Sequence, residues 1–323
     1  MRDIPIGLTQ GAISSWGIRV CSGTVPRRVV SFPFLFRPET MSSVRVVILT
    51  LLALLAFAGN SLLCRLALKQ TSIDAASFTA LRLLSGALML ALLVRLRQRS
   101  ATVGGNWRSA LALFSYAAGF SFAYVSLSAA TGALLLFGAV QATMIGYGLG
   151  QGERLARLQW VGFVLALGGL VGLMLPGLAA PPLGSSVLML GAGAAWGIYS
   201  LRGKGAGDPT QVTAGNFLRT VPMAAALCLL LGSPLTLDRV GATYAVLSGA
   251  LASGIGYALW YQVLPAMKAT QAATVQLSVP VLAALGGMVF LGESVGWRMV
   301  LASIAILGGI ALVILEKKRV PGL

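Results

Sequence analysis

The chain contains no histidine and only eight acidic residues in 323, against 24 lysines and arginines. Without histidine there is no imidazole to relay protons or ligate a metal, and a Ser-His-Asp hydrolase site cannot be built. The acids are Asp3, Glu39, Asp74, Glu153, Asp208, Asp238, Glu293 and Glu316. None lies in the middle of an apolar segment, so the chain lacks the deep carboxylate that usually carries protons through a membrane. The three cysteines, Cys21, Cys64 and Cys228, are scattered and form neither a metal spacing nor a disulfide framework. No glycine-rich loop ends in a phosphate-binding lysine, which excludes direct use of ATP by this chain. The expectation is a protein that is not an enzyme and needs no cofactor or metal.

What remains is apolar. Hydrophobic residues make up 57% of the chain, charged residues 10%, and the mean hydropathy is +0.87. Those values lie outside the range of soluble domains. Apolar runs of roughly 17–22 residues recur, the length that crosses about 30 Å of hydrocarbon. In lipid the backbone must satisfy its own hydrogen bonds, so such runs form helices. The expected spans are 44–64, 75–95, 108–127, 130–149, 157–176, 185–202, 211–231, 241–262, 271–291 and 297–315. The fold class is therefore an all-α integral membrane protein of ten helices with short connections. Pro176-Gly177, Pro181-Pro182, Asp208-Pro209 and Ser233-Pro234 supply turn chemistry between spans. Among forty glycines, Gly168–Gly172 and Gly193–Gly197 are small-xxx-small pairs that either pack helices closely or reflect general glycine content.

The net charge of +16 is topological rather than a sign of a nucleic-acid partner. Arg95, Arg97, Arg99 and Arg108 share one connection, and Arg154 and Arg157 a later one. Arg202 with Lys204, Lys268, and Lys317, Lys318 and Arg319 follow in alternate connections. The loops between hold Lys69, Arg239 and Arg298, or no basic residue. Positive charge marks the cytoplasmic side, so both termini lie there and 317–323 is a basic cytoplasmic tail. The expected partners are a lipid bilayer and a small-molecule substrate; the sequence leaves the oligomeric state open, a monomer included. Residues 1–40, basic and proline-containing, read as a disordered extension or a mis-assigned start before Met41.

The chain repeats itself. Ala130 opens ATGALLLFGAVQATMIGYGLGQGERLARLQWVGFVLALGGLVGLML, and Thr270 opens TQAATVQLSVPVLAALGGMVFLGESVGWRMVLASIAILGGIALVIL. Gly152-Glu153 matches Gly292-Glu293, and Gly168-Gly169 matches Gly308-Gly309, each 140 residues on. Tyr124 aligns with Tyr261, Arg82 with Arg219, and Phe57-Ala-Gly-Asn60 with Trp196-Gly-Ile-Tyr199. Five spans per half is an odd number, so the halves 44–176 and 185–316 enter the membrane in opposite senses. Inverted halves that rock about a shared midplane site are a common plan for secondary transporters.

On these residues the chain resembles the EamA-type transporters of the drug/metabolite transporter superfamily. The resemblance spans about residues 44–316 and rests on Phe57-Ala-Gly-Asn60, Ala80-Leu81-Arg82, Trp196-Gly-Ile-Tyr199 and the Gly-Glu-Arg and Gly-Glu-Ser corners. It implies ten helices in two inverted repeats and movement of small metabolites, often amino acids, across a bacterial inner membrane. Gly138-Ala139-Val140 departs from the family pattern, which carries a proline there; Val279-Pro280 keeps it.

Candidate substrate-binding residues are Asn60, Arg82, Tyr124, Gln141, Trp196, Tyr199, Arg219, Trp260, Tyr261 and Gln276, the polar and aromatic groups within spans. Arg82 and Arg219 occupy equivalent positions, and they either face a central cavity and hold a carboxylate or phosphate, or staple helix-end carbonyls. Arg65 reads as an interfacial anchor. Pro280 is a gating point or a static bend. Glu153 and Glu293, at the corners, bond exposed amides or a nearby arginine rather than carry protons. The expected function is alternating-access transport, with export the expected direction, of a zwitterionic or anionic metabolite such as an amino acid or organic acid. A multidrug or amine efflux pump is the alternative, and a channel or membrane enzyme has less support.

Overall fold

The computed structural model describes residues 43–97, 104–152, 154–175, 180–203, 208–231, 238–267 and 275–315. The expectations for residues 1–40, Glu153, residues 317–323 and the turns Pro176-Gly177 and Ser233-Pro234 fall outside them. Among the described residues all regular structure is helical: α1 (Ser43–Gln70), α2 (Ala75–Leu96), α3 (Trp107–Tyr124), α4 (Ala129–Gly150), α5 (Arg157–Met174), α6 (Leu183–Arg202), α7 (Pro209–Leu231), α8 (Arg239–Val263), α9 (Ser278–Leu291) and α10 (Trp297–Leu315). Seven of them (α1, α2, α4, α5, α7, α8 and α10) are long and apolar enough to cross a membrane. α9 is apolar but has 14 residues, and α3 and α6 are diluted by serine, glycine and tyrosine. Large apolar side chains such as Val161, Val164, Leu229, Leu230, Val289 and Phe290 lie exposed, as a lipid-facing surface requires.

The helix starts explain the scarce acids. Asp74 accepts from the amides of Ala76 and Ser77 at the head of α2, and Asp208 from Thr210 and Gln211 at the head of α7. Asp238 accepts from Gly241 at the head of α8, and Glu293 reaches across to the amide of Ala129, the first residue of α4. A carboxylate there satisfies orphan amides and meets the positive end of the helix dipole. All four acids of the described residues are engaged at helix N-termini.

Three spans differ from expectation. α1 runs 28 residues to Gln70 rather than ending at 64, about 42 Å at 1.5 Å per residue. Its last turns therefore carry Arg65 and Lys69 to the α9–α10 corner, where they meet Glu293 and the Leu291 carbonyl. α8 contains a π-helical stretch, Ser248–Ile255, where Gly249 lies so close to Ser85 and the Arg82 carbonyl that no side chain would fit. α9 begins at Ser278, after a turn at Leu277. Pro280 thus lies in the first turn of α9 and not at a mid-span kink, because its ring and missing N–H break the helix before it. Pro222, by contrast, sits inside α7.

Both copies of the repeated corner turn on a left-handed glycine, Gly152 at φ 88° and Gly292 at φ 62°. Gly193 and Gly197 let α6 lie against α4 at Leu136, Ala139 and Thr143, whereas Gly168 and Gly172 face open space. The close approach of α5 to α10 uses Gly162, Gly169 and Gly309 instead: a Cβ at Gly162 would stand 2.5 Å from the Gly309 carbonyl oxygen. Gly309→Val is expected to force this contact apart and destabilise the bundle by about 1–3 kcal/mol. A lowered melting temperature of the purified protein would show it, and an unchanged one would mean that α5 and α10 yield without loss.

Candidate functional site

α2 buries its one interior charge. Arg82 is 1% exposed, and its Nη2 donates to the Tyr116 hydroxyl of α3 at 2.8 Å. Its guanidinium lies over the rings of Phe120 and Tyr116, 4.8 and 5.2 Å from the centroids. Nε and Nη1 have no hydrogen-bond acceptor among the described residues. Asn60 of α1 also donates to the Tyr116 oxygen, at 3.2 Å, while its own carbonyl accepts from Ser248 of the π stretch at 2.6 Å. A phenol oxygen accepts through two lone pairs and donates one proton. With both lone pairs taken by Arg82 and Asn60, the Tyr116 proton is left to donate. The cluster is rich in donors and short of acceptors.

Tyr116, Asn60 and Phe120 form part of the wall of a cavity of about 30 Å³ between the helices. Trp196 and Tyr257 complete an aromatic enclosure with them, Trp196 lying 4.8 Å from Tyr116 and 5.1 Å from Tyr257. Gln276, just before α9, contributes a polar group. The volume holds about two waters, so an organic solute enters only when helices separate.

A larger pocket of about 150 Å³ lies where the heads of α3 and α7 meet the tail of α6. Tyr199, Thr213 and Asn216 form its buried polar wall, and exposed Arg202 stands at its rim, donating to Ser109 and Asn106. Asn216 accepts from the Asn106 amide at 3.0 Å, fixing the loop before α3. Tyr199 belongs to this pocket and lies 5.5 Å from Trp196 of the central cavity. Trp196 and Tyr199, one turn apart on α6, thus line two different spaces.

The expected site residues divide accordingly. Asn60, Trp196 and Gln276 come together in the central cavity with Arg82 behind its wall, and Tyr199 and Tyr261 line the outer pocket. The remaining four do not join them. Arg219 does not pair with Arg82; its Nη1 donates to the carbonyls of Gly104 and Gly215 at 2.7 and 2.8 Å, stapling the loop before α3 to α7. Tyr124 is wholly buried, its hydroxyl bonded to the Ala129 carbonyl and its ring against Gly132. Trp260 packs with Leu49 and Ala53 of α1 and with Val263, and meets the ring of Phe57 edge to face. Gln141 is buried in α4 and lines neither cavity. Arg65 is more than an anchor, since it holds the Tyr124 and Val125 carbonyls and the Glu293 carboxylate, each at 2.9 Å. Phe57, named in the sequence for the repeat, and Arg202, named for its charge, are not among the expected site residues, and Ser248 carries no signal apart from its neighbours in space.

An all-helical bundle with a lipid-compatible surface and a buried, donor-rich aromatic cavity defines a membrane protein that handles small solutes. The profile of the EamA-like transporter family matches residues 184–315. An uncharacterised protein of Pseudomonas aeruginosa, PA1977, is 62% identical over 271 residues, covering 84% of this chain and 94% of that protein. The threonine/homoserine exporter RhtA of Salmonella typhimurium is 33% identical over 128 residues, 38% of this chain and 42% of that protein. A crystal structure at 19% identity shares the fold, with a TM-score of 0.63, covering 83% of this chain and 96% of its own. The chain belongs to the EamA-like transporter family of the drug/metabolite transporter superfamily.

Proposed function

We propose that the chain is a ten-helix secondary transporter made of two inverted five-helix repeats, 44–176 and 185–316. It exports a small carboxylate-bearing metabolite, an amino acid or organic acid, by alternating access across an inner membrane, with both termini cytoplasmic. The carrying observation is Arg82: a buried guanidinium with two donor nitrogens that find no acceptor among the described residues, bonded to the Tyr116 hydroxyl on the cavity wall. A carboxylate supplies both the charge and the acceptor. The same charge disfavours a lipophilic amine, which counts against the multidrug alternative.

Helix packing supports the repeat reading. When α1–α5 are exchanged with α6–α10, neighbours map onto neighbours: α1–α8 onto α3–α6, α1–α9 onto α4–α6, and α2–α8 onto α3–α7, while α2–α7, α4–α9 and α5–α10 map onto themselves. The exporter named for threonine and homoserine supports an amino-acid-like solute. The 30 Å³ cavity is too small for an organic solute, so transport through it requires the helices to move apart.

Purified protein in vesicles, offered labelled threonine, homoserine and a panel of amino and organic acids, is expected to give saturable flux of at least one. Tyr116→Phe keeps the ring contacts but leaves Arg82 and Asn60 without their shared acceptor. It is expected to raise KM about tenfold, as loss of one charge-linked hydrogen bond does. Accumulation of quaternary ammonium dyes without flux of any acid would overturn the reading.

A further inference from the structure

The carboxylate reading leaves one charge to account for, the guanidinium itself. Of the acids among the described residues, Asp74, Asp208 and Asp238 cap helices and Glu293 holds Arg65 and Ala129; none bonds to Arg82. Its neighbours are a phenol and two ring faces, which soften a positive charge without neutralising it. When the cavity stands open to one side, water solvates this charge. When the helices close that hydration is lost; in the arrangement described Arg82 is already 1% exposed. A charge occluded without a counter-ion carries a desolvation penalty that a bound anion largely offsets.

We infer that closure depends on an anion, so that the chain works as an exchanger, returning across the membrane only with a second carboxylate-bearing solute in the Arg82–Tyr116 site. This rests on the carboxylate reading above and adds to it the direction-independent requirement for an anion on every crossing. The geometry also assigns the order of events. A solute from the outer pocket passes Tyr199 and Trp196, its carboxylate accepts from the Tyr116 hydroxyl, and the positive field of Arg82 holds it while the bundle closes. The amide of Gln276 lies on the same cavity wall and can serve a second polar group of the solute. The return step reverses this with whichever carboxylate the opposite side provides.

Vesicles holding the full chain are loaded with the labelled acid that gave flux in the assay above, and efflux is followed into three media. These contain the same acid unlabelled, its decarboxylated amine, or buffer with a membrane-impermeant anion. The expected result is efflux about tenfold or more faster into the acid than into either other medium, the scale set by an uncompensated buried charge. Arg82→Gln, if it inserts, is expected to remove that difference, with efflux equal in all three media. Saturable efflux from the unaltered chain at one rate into all three media would overturn exchange and leave carboxylate transport standing. Equal acceleration by the amine would likewise overturn the anion requirement. Failure of every acid to move in any mode would overturn transport itself and exchange with it.

Discussion

Arg82→Met is expected to lower kcat/KM for the transported acid by about a hundredfold, the effect of a lost charged hydrogen bond of ~3 kcal/mol. The melting temperature is expected to stay level or rise. The two effects diverge because, among the described residues, Arg82 makes one hydrogen bond, to Tyr116, and leaves two donor nitrogens unpaired in a fully buried place. Methionine fills much of the same volume and removes the unsatisfied charge, a change that in packed interiors is neutral or stabilising. A group kept against its own stability cost belongs to function. Flux assays and thermal unfolding on the same preparation measure both. A melting temperature lowered by several degrees together with lost flux would make Arg82 a structural staple, like Arg219.

Glu293→Ala is expected to do the opposite, destabilising the fold by about 2–3 kcal/mol through two lost charge-assisted hydrogen bonds. Its carboxylate accepts from the Ala129 amide at 2.8 Å and from Arg65 Nε at 2.9 Å, and the two side chains of the ion pair are only 12% and 8% exposed. Through Arg65 it also ties α1 to the Tyr124 and Val125 carbonyls, so three segments separate when it goes. Glu293→Gln keeps an acceptor for the amide and loses the charge, so an intermediate melting temperature is expected. A proton-carrying role predicts a different pattern: Glu293→Gln would melt normally and lose only the response of flux to a pH gradient.

These two residues show what could be read in one dimension. Arg82 stands out because a guanidinium eight residues into an apolar run must be compensated by something, and that inference needs no coordinates. The corner at Glu293 announces itself by recurring 140 residues after Glu153, and the acid count already places it at a helix end. Arg219 shows the limit. It aligns with Arg82, yet what an arginine does depends on what lies opposite it. Opposite α2 stand the rings of α3, and opposite α7 stands the open carbonyl of Gly104. Matching positions in two helices do not give matching neighbours, and the neighbours decide what the charge bonds.

By itself the sequence determined the class: an apolar, glycine-rich, histidine-free helical membrane chain with positive charge, and no acid, in the middle of its apolar segments. These follow from composition and periodicity, because a helix in lipid must be apolar outside and satisfied within. The tertiary structure alone decided which polar residues share a cavity. Asn60, Tyr116 and Ser248 come from three helices and are joined by hydrogen bonds that no spacing encodes. It also decided that Tyr124 and Trp260 are packed away while Trp196 lines the central cavity and Tyr199 the larger pocket. Each helix has several polar or aromatic positions at similar depth, and only the rotation of one helix against the next selects the one that faces inward.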